Sequence, residues 1–294
     1  MTYDAIIVIF NPNSTGPSEE LARQFKEELE ARLDSPEVQL VPTRHSGHGE
    51  ELAYEVARSH RRVLIISSSG DGGYHDVVNG AMRARAEGYR PITGLLPAGN
   101  ANDHYHNIHQ KSIIEQIVDG RPLKIDLLKM AGVSGGEAIT RYAHSYIGLG
   151  FTPMVAQDLN RTKLNPIIEV LTVAASLLKI RSVRLKVDGR IRRYDSVIAN
   201  NVDVMSKYLK ISKPSSMSDG VFEVTIFRRR SRLRLIWLLL RASLAGVDHD
   251  KRTDHLTLGT VDRTLVQADG EVIEIDAATE LVIGVEKQTL DCYV

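Results

Sequence analysis

Apolar positions come in short unbroken runs early in the chain and in alternating patterns later. Ala5 to Phe10 is a continuous apolar run rich in Ile and Val, the pattern of a strand buried on both faces. The turn cluster Asn11-Pro12-Asn13-Ser14-Thr15-Gly16 follows it. Ser18 is placed to cap a helix over residues 19–33, where Leu21, Phe25, Leu29 and Leu33 recur on one face. Val38 to Val41 reads as a second strand, and 48–60 as a helix with Leu52, Val56 and Ala57 inward. Val63 to Ile66 is a third strand, 74–87 a helix, and Ile92 to Leu96 a fourth strand. Strands alternating with helices predict a parallel sheet with crossover helices.

Beyond about residue 125 the pattern changes. Asp126 to Met130, Ala138 to Gly148, Ser182 to Val187, Ile191 to Ala199 and Phe222 to Phe227 read as strands. So do His255 to Leu258, Thr264 to Gln267, Val272 to Ile275 and Leu281 to Val285. Asp188-Gly189 is a hairpin signal between two of them. Two helices interrupt this half, one opening at Asn165-Pro166 and one over 231–245. The expected fold is an N-terminal α/β domain with a parallel sheet, residues 1–125, and a C-terminal antiparallel, β-rich, sandwich-like domain, residues 126–294. The extreme C-terminus is free to return to the first domain.

The chain has 294 residues, enough for two domains, and equal numbers of basic and acidic residues, 37 each. A neutral chain lacks the global positive field of a nucleic-acid binder, so no nucleic-acid partner is expected. The lone cysteine, Cys292, excludes an internal disulfide and a cysteine-based metal site, in keeping with a reducing compartment. The first residues carry no basic region of a signal peptide, and no run of about 18 uncharged apolar residues offers a membrane span. A cytoplasmic protein is the expectation.

The sharpest chemical feature is Ser69-Gly70-Asp71-Gly72-Gly73, between a buried strand and a helix. Glycines let the backbone bend and approach a ligand, and the helix start offers unpaired N–H groups to a phosphate. An aspartate in such a loop suits Mg²⁺ beside a nucleotide. An ordinary strand-to-helix turn uses the same residue types, so this spacing alone leaves both readings open. Pro97-Ala98-Gly99-Asn100-Ala101-Asn102-Asp103 follows the next strand. In a parallel sheet these two turns and Asn11–Gly16 share the edge beyond the carboxyl ends of the strands, where ligands bind.

Together these segments resemble the diacylglycerol kinase catalytic family, which includes sphingosine, ceramide and bacterial lipid kinases. The first turn resembles its Asn-Pro-x-Ser-Gly motif with one residue more, and Thr43 with Gly47-His48 resembles its Thr before Gly-His. Gly70-Asp71-Gly72 with His75-Asp76-Val77-Val78-Asn79-Gly80 resembles Gly-Gly-Asp-Gly-Thr-x-x-Glu-Val-x-Asn-Gly, and Pro97 to Asp103 resembles Pro-x-Gly-Thr-x-Asn-Asp. Asp126, Ser218-Asp219-Gly220 and Asp269-Gly270-Glu271 fall on later family elements, in order.

The resemblance implies ATP-dependent phosphorylation of a lipid hydroxyl, in lipid metabolism or phospholipid biosynthesis, with ATP in the interdomain cleft. Asn11, Pro12, Asn13, Ser14, Thr15, Gly16, Thr43, Ser69, Gly70, Asp71, Gly72, Gly73, Tyr74, His75, Gly99, Asn100 and Asn102 would line the nucleotide. Glu271 would be the general base, Asp126 its support, and Asp71 and Asp103 would help bind catalytic Mg²⁺ or position phosphates. A structural Mg²⁺ of the family maps to Asp219 with the neighbouring Ser216 and Val221. Read by itself, each has a plainer role: Asp219 and Glu271 as turn and hairpin residues, Asp126 as a capping residue. The family's Thr after Gly-Asp-Gly is Gly73 here, its second-turn Thr is Asn100, and its helix Glu is Asp76. An NAD-kinase-like enzyme and a nucleotide- or lipid-binding regulator with little turnover are the alternatives. His104, His106 and His109 read as polar surface or nucleotide-adjacent residues rather than zinc ligands. Arg228 to Arg234, ahead of the apolar Leu235 to Leu240, reads either as a helix packed on the β domain or as a peripheral contact with an anionic membrane. The apolar strand Leu281 to Val285 pairs either within the chain or across a homodimer.

Overall fold

The computed structural model describes residues 3–33, 37–108, 111–153, 182–187, 189–205, 209–210, 216–229 and 249–294. They fall into two compact units: Met1–Asp126 with Gln288–Val294, and Leu127–Lys287.

The first unit runs β1 (Ala5–Phe10), α1 (Ser18–Arg32), β2 (Val38–Pro42), α2 (His48–Ser59), β3 (Val63–Ser69), α3 (Asp71–Ala86) and β4 (Ile92–Pro97). Two short helices follow, α4 (Asp103–Ile108) and α5 (Ile113–Asp119). The strands pair in parallel in the order β2-β1-β3-β4. Successive side chains of a strand point to opposite faces, so an apolar run feeds two cores. Ile6, Val8, Leu64 and Ile66 pack with Ala22, Phe25 and Leu29 of α1. Ile7, Ile9 and Ile65 pack with Ala53, Ala57, Val77 and Ala84 of α2 and α3.

Two local expectations are corrected here. Ser18 is the first residue of α1, not its cap; Pro17 holds the cap position without a side-chain hydrogen bond. The buried Ser18 hydroxyl donates to the Ser68 carbonyl and accepts the Asn11 N–H at 3.0 Å, so it fastens strand ends instead of a helix end. The third helix starts at Asp71 rather than 74, which makes Asp71-Gly72-Gly73 its first turn. The low helix propensity of glycine hides that turn from a periodicity reading.

The second unit is antiparallel. Its elements are β5 (Leu123–Ser134, which starts in the first unit), β6 (Glu137–Ala143), β7 (Tyr146–Gly150), β8 (Val183–Val187), β9 (Arg190–Asn200), β10 (Val204–Met205) and β11 (Leu209–Lys210). Then come β12 (Phe222–Arg228), β13 (Lys251–Thr253), β14 (His255–Thr260), β15 (Thr264–Ala268), β16 (Glu271–Ile275) and β17 (Glu280–Tyr293). Leu149, Leu185, Val197, Phe222, Val224, Leu258, Val266 and Ile283 share one core. The strand expected over 138–148 is two strands, broken at His144-Ser145 for a reason that lies in the site. Val187 pairs with Arg190, and Gly189 has φ +76°, so a tight hairpin joins β8 to β9. Asp188, the helices expected from Asn165 and over 231–245, and His109 lie outside the described residues. Arg228 and Arg229 are exposed, and the rest of that basic run lies outside the described residues. No helix among the described residues is long and apolar enough to cross a membrane.

Strand β17 starts in the second unit, where Leu281 to Gly284 pair with β14, and ends in the first, where Cys292 and Tyr293 pair in parallel with Thr93 and Gly94 of β4. The Tyr293 hydroxyl lies 2.7 Å from that of Tyr3, and Gln116 bonds both backbone groups of Val294. Burial pushes the Cys292 thiol up to about 12. The group is therefore neutral at ordinary pH and has no thiolate to offer. An aromatic disulfide reagent is expected to leave Cys292 unmodified in the native protein and to titrate one thiol after unfolding in urea.

Candidate nucleotide rim and acidic hairpin

Three loops at the carboxyl ends of β1, β3 and β4 interlock in the first unit. The Ala98 carbonyl accepts the Ser14 hydroxyl at 2.7 Å and the Gly16 N–H at 2.9 Å. Ala98 N–H donates to the Ser69 carbonyl at 2.9 Å. Within the first loop, Asn11 Oδ1 accepts the Asn13 N–H at 2.9 Å, an Asx turn that sets the bend. Thr43, just past β2, joins by donating its N–H to the Phe10 carbonyl at 2.8 Å. Glycine is required where the loops touch: a Cβ on Gly99 would overlap the Cα of Gly70, and one on Gly16 would meet the Ala98 carbonyl.

Asp71 ties the second loop to the third. Its two carboxylate oxygens accept the N–H groups of Asp103 at 3.1 Å and His104 at 3.2 Å, at the start of α4. Asn102, at φ +51°, closes the third loop: its Oδ1 takes the Gly99 N–H at 2.9 Å and its Nδ2 donates to the Gly99 carbonyl at 3.0 Å. By helix geometry the first N–H groups of α3, those of Gly72 and Gly73 among them, have no intrahelical acceptor. Pro12, Asn13, Thr15 and Gly72 are exposed, and Asn11, Ser14, Gly16, Thr43, Gly70, Gly73, Gly99 and Asn100 are half-buried. That is the accessibility a ligand surface needs.

Not every residue expected to line the nucleotide stands on that surface. Tyr74 is fully buried, with its hydroxyl 3.0 Å from Thr93 Oγ1 and its ring packed at 5.0 Å on that of His104, which is therefore buried and not the surface residue expected. His75 is buried on α3, and the Ser69 hydroxyl is turned inward to Ser67 at 2.7 Å. These side chains hold the rim from below. Asp126 is also fully buried and accepts the N–H of Gln288 at 2.6 Å, where β17 turns through φ +44°.

In the second unit, Asp269 and Gly270 are the two turn residues between β15 and β16, with φ of +46° and +100°. Positive φ at both positions is the primed turn that matches strand twist, and it explains the Asp-Gly pair. Glu271 opens β16, half-buried, opposite Ala268. Asp269 itself is buried. Its carboxylate accepts the N–H groups of His144 at 2.7 Å, Ser145 at 2.9 Å and Tyr146 at 3.0 Å, with His144 Nε2 at 3.4 Å. This contact breaks the strand expected over 138–148, because three backbone N–H groups that would have gone to a ladder go to one side chain instead. Sequence reasoning missed the role of Asp269. The Asp-Gly dipeptide marks the turn, but a partner 125 residues away leaves no local trace.

Carboxylate oxygens suit a hard cation such as Mg²⁺. Asp71, half-buried, and Asp103, buried at the start of α4, both carry the oxygen donors such an ion takes, and the Asp71 carboxylate is tied to the Asp103 N–H. Asp219 does not fit such an ion. Its Oδ2 is held by the Arg252 guanidinium, and its Oδ1 accepts the Val221 N–H at 3.2 Å. The Ser216 hydroxyl lies 3.1 Å from that of Ser218.

Two stability changes are expected, each read by urea unfolding. Gly99→Ala costs about 1–3 kcal/mol through the overlap with Gly70. Asp269→Ala leaves three buried N–H groups without their acceptor and costs about 3 kcal/mol or more.

Comparisons with known proteins bear on these two regions. Residues 5–130 match the family model of the diacylglycerol kinase catalytic domain. No curated protein matches the chain. Among solved structures, a protein from Bacillus anthracis str. Sterne described as a "putative diacylglycerol kinase" superposes with a TM-score of 0.72 at 15% identity, over 100% of this chain and 98% of that one. A diacylglycerol kinase structure from the same organism gives 0.72 at 14% identity, over 100% and 97%. At such identity the likeness is one of fold, a mixed sheet with parallel N-terminal and antiparallel C-terminal strands. The family that the ordered motifs resemble is thus the one whose catalytic-domain model the chain matches over residues 5–130.

Proposed function

We propose that the chain transfers the γ-phosphoryl group of ATP to a lipid hydroxyl, diacylglycerol-like or sphingoid. The observation that carries this reading is the rim locked around Ala98, built from residues inside the segment that matches the diacylglycerol kinase catalytic domain. Phosphoryl transfer asks a protein mainly for positioning and for neutralisation of charge. The N–H groups of Gly72 and Gly73 at the start of α3 suit phosphate oxygens, flanked by Asn11–Gly16, Thr43, Gly99 and Asn100. Asp71 and Asp103 would hold Mg²⁺, which supplies neutralisation of the phosphate charge.

A primary alcohol is a poor nucleophile at neutral pH. Glu271 accepts the hydroxyl proton as the lipid oxygen bonds to phosphorus and the bond to ADP breaks. The accessible side chain at the mouth of the hairpin is Glu271; Asp269, buried two residues earlier, is its positioning residue. Asp126, buried in the first unit, fixes the backbone of β17 through the Gln288 N–H. Peripheral contact with an anionic membrane surface would bring the acceptor within reach.

With labelled ATP and mixed micelles of diacylglycerol or sphingosine, the wild type should label one lipid. Glu271→Gln should lower kcat by about 10²–10⁴-fold while equilibrium ATP binding is unchanged. Label appearing on NAD, or ATP binding with no lipid product, would overturn the reading.

A further inference from the structure

Arg252 sits where the resemblance implies a divalent cation. It lies on β13 directly opposite Glu223 of β12, an oppositely charged cross-strand pair. Its Nε donates to Glu223 Oε1 at 3.2 Å, and its Nη2 reaches on to Asp219 Oδ2. One guanidinium thus joins a buried carboxylate to the carboxylate of the turn that leads into β12. Asp219 bends back on its own chain through the Val221 N–H, and Gly220 at φ +76° makes the bend possible. The Arg252 side chain is 48% exposed and that of Glu223 3%, so the charge is brought from the surface down a stem onto an acid with little access to water. A guanidinium is planar, always charged and forked, which suits bridging two carboxylates. Mg²⁺ needs near-octahedral oxygen ligands and sheds water reluctantly; it would have to displace this arm and then sit beside its charge.

We propose that Arg252 replaces a divalent cation in the second unit, so that the Ser216–Glu223 turn is held by a side chain and not by Mg²⁺. Any requirement of the chemistry for Mg²⁺ then belongs to the phosphate rim alone. Nothing in this assignment depends on which lipid, if any, is phosphorylated.

Thermal unfolding of the full chain, without nucleotide, in EDTA and in millimolar MgCl₂ tests it. The wild type and Asp219→Asn should respond to Mg²⁺ alike, within about 1 °C, since any binding at Asp71 and Asp103 is common to both. Arg252→Met keeps the stem and removes the charge. It should lower Tm in EDTA by about 3 °C or more, and Mg²⁺ should restore at least half of the loss. Adding Asp219→Asn to Arg252→Met should abolish the restoration. A wild-type Tm that rises with Mg²⁺ and loses the rise in Asp219→Asn would overturn the proposal. So would an Arg252→Met protein as stable as wild type in EDTA, or one that is destabilised and indifferent to Mg²⁺, which would make Arg252 an ordinary ion pair. Should Arg252→Met fold in neither buffer, the wild-type and Asp219→Asn melts decide the matter by themselves.

Discussion

One carbonyl, that of Ala98, organises the candidate nucleotide surface. It accepts a hydroxyl from Ser14 and an N–H from Gly16, while the N–H of the same residue holds Ser69. Three strand ends that are far apart in sequence are thereby fixed to one peptide unit. A backbone acceptor has no rotamers to lose, so fastening the loops to it costs less entropy than a second side chain would. Preorganised N–H donors cost no reorganisation when charge develops on a phosphate. The close approach of Gly70 to Gly99 is the steric side of the same constraint.

Three aspartates share a second device. Asp71 takes the N–H groups of Asp103 and His104, Asp126 that of Gln288, and Asp269 those of His144, Ser145 and Tyr146. Each stitches a remote backbone segment to its own strand or helix end. Hydrogen bonds from backbone N–H to an ionised carboxylate are among the stronger ones available. These acids are therefore structural whatever else they do, and a loss of activity on replacing one has to be read beside a measured stability. Glu271, half-buried at the start of its strand, is the residue at which the two effects separate most cleanly.

Arg252 shows a third use of charge. Burial pushes the Glu223 carboxyl above its usual range, and the guanidinium of Arg252 opposes that shift. Breaking such a pair from one side leaves a poorly hydrated acid, which is why removal of Arg252 should be felt in stability. Nothing in the segment around Arg252 announces this role. The residue pairs with Glu223 only because β13 lies antiparallel to β12.

Continuous apolar runs, alternating runs and turn residues are local properties, and they sufficed to read the parallel strands, most of the antiparallel ones and the glycine-rich turns. Ala5–Phe10 had to be buried on both faces, since any solvent face would have exposed Ile or Val. The Asp269-Gly270 turn was legible for the same reason, because positive φ favours those residue types locally. The roles of Ser18, Tyr74, Asp269 and Arg252 were not legible. Each is set by a partner brought alongside through folding: the Ser68 carbonyl, the Thr93 hydroxyl, the His144–Tyr146 backbone and the Asp219–Glu223 acids. A hydrogen bond or ion pair acts over a few ångströms of space and has no fixed span along the chain, so such contacts are decided by packing.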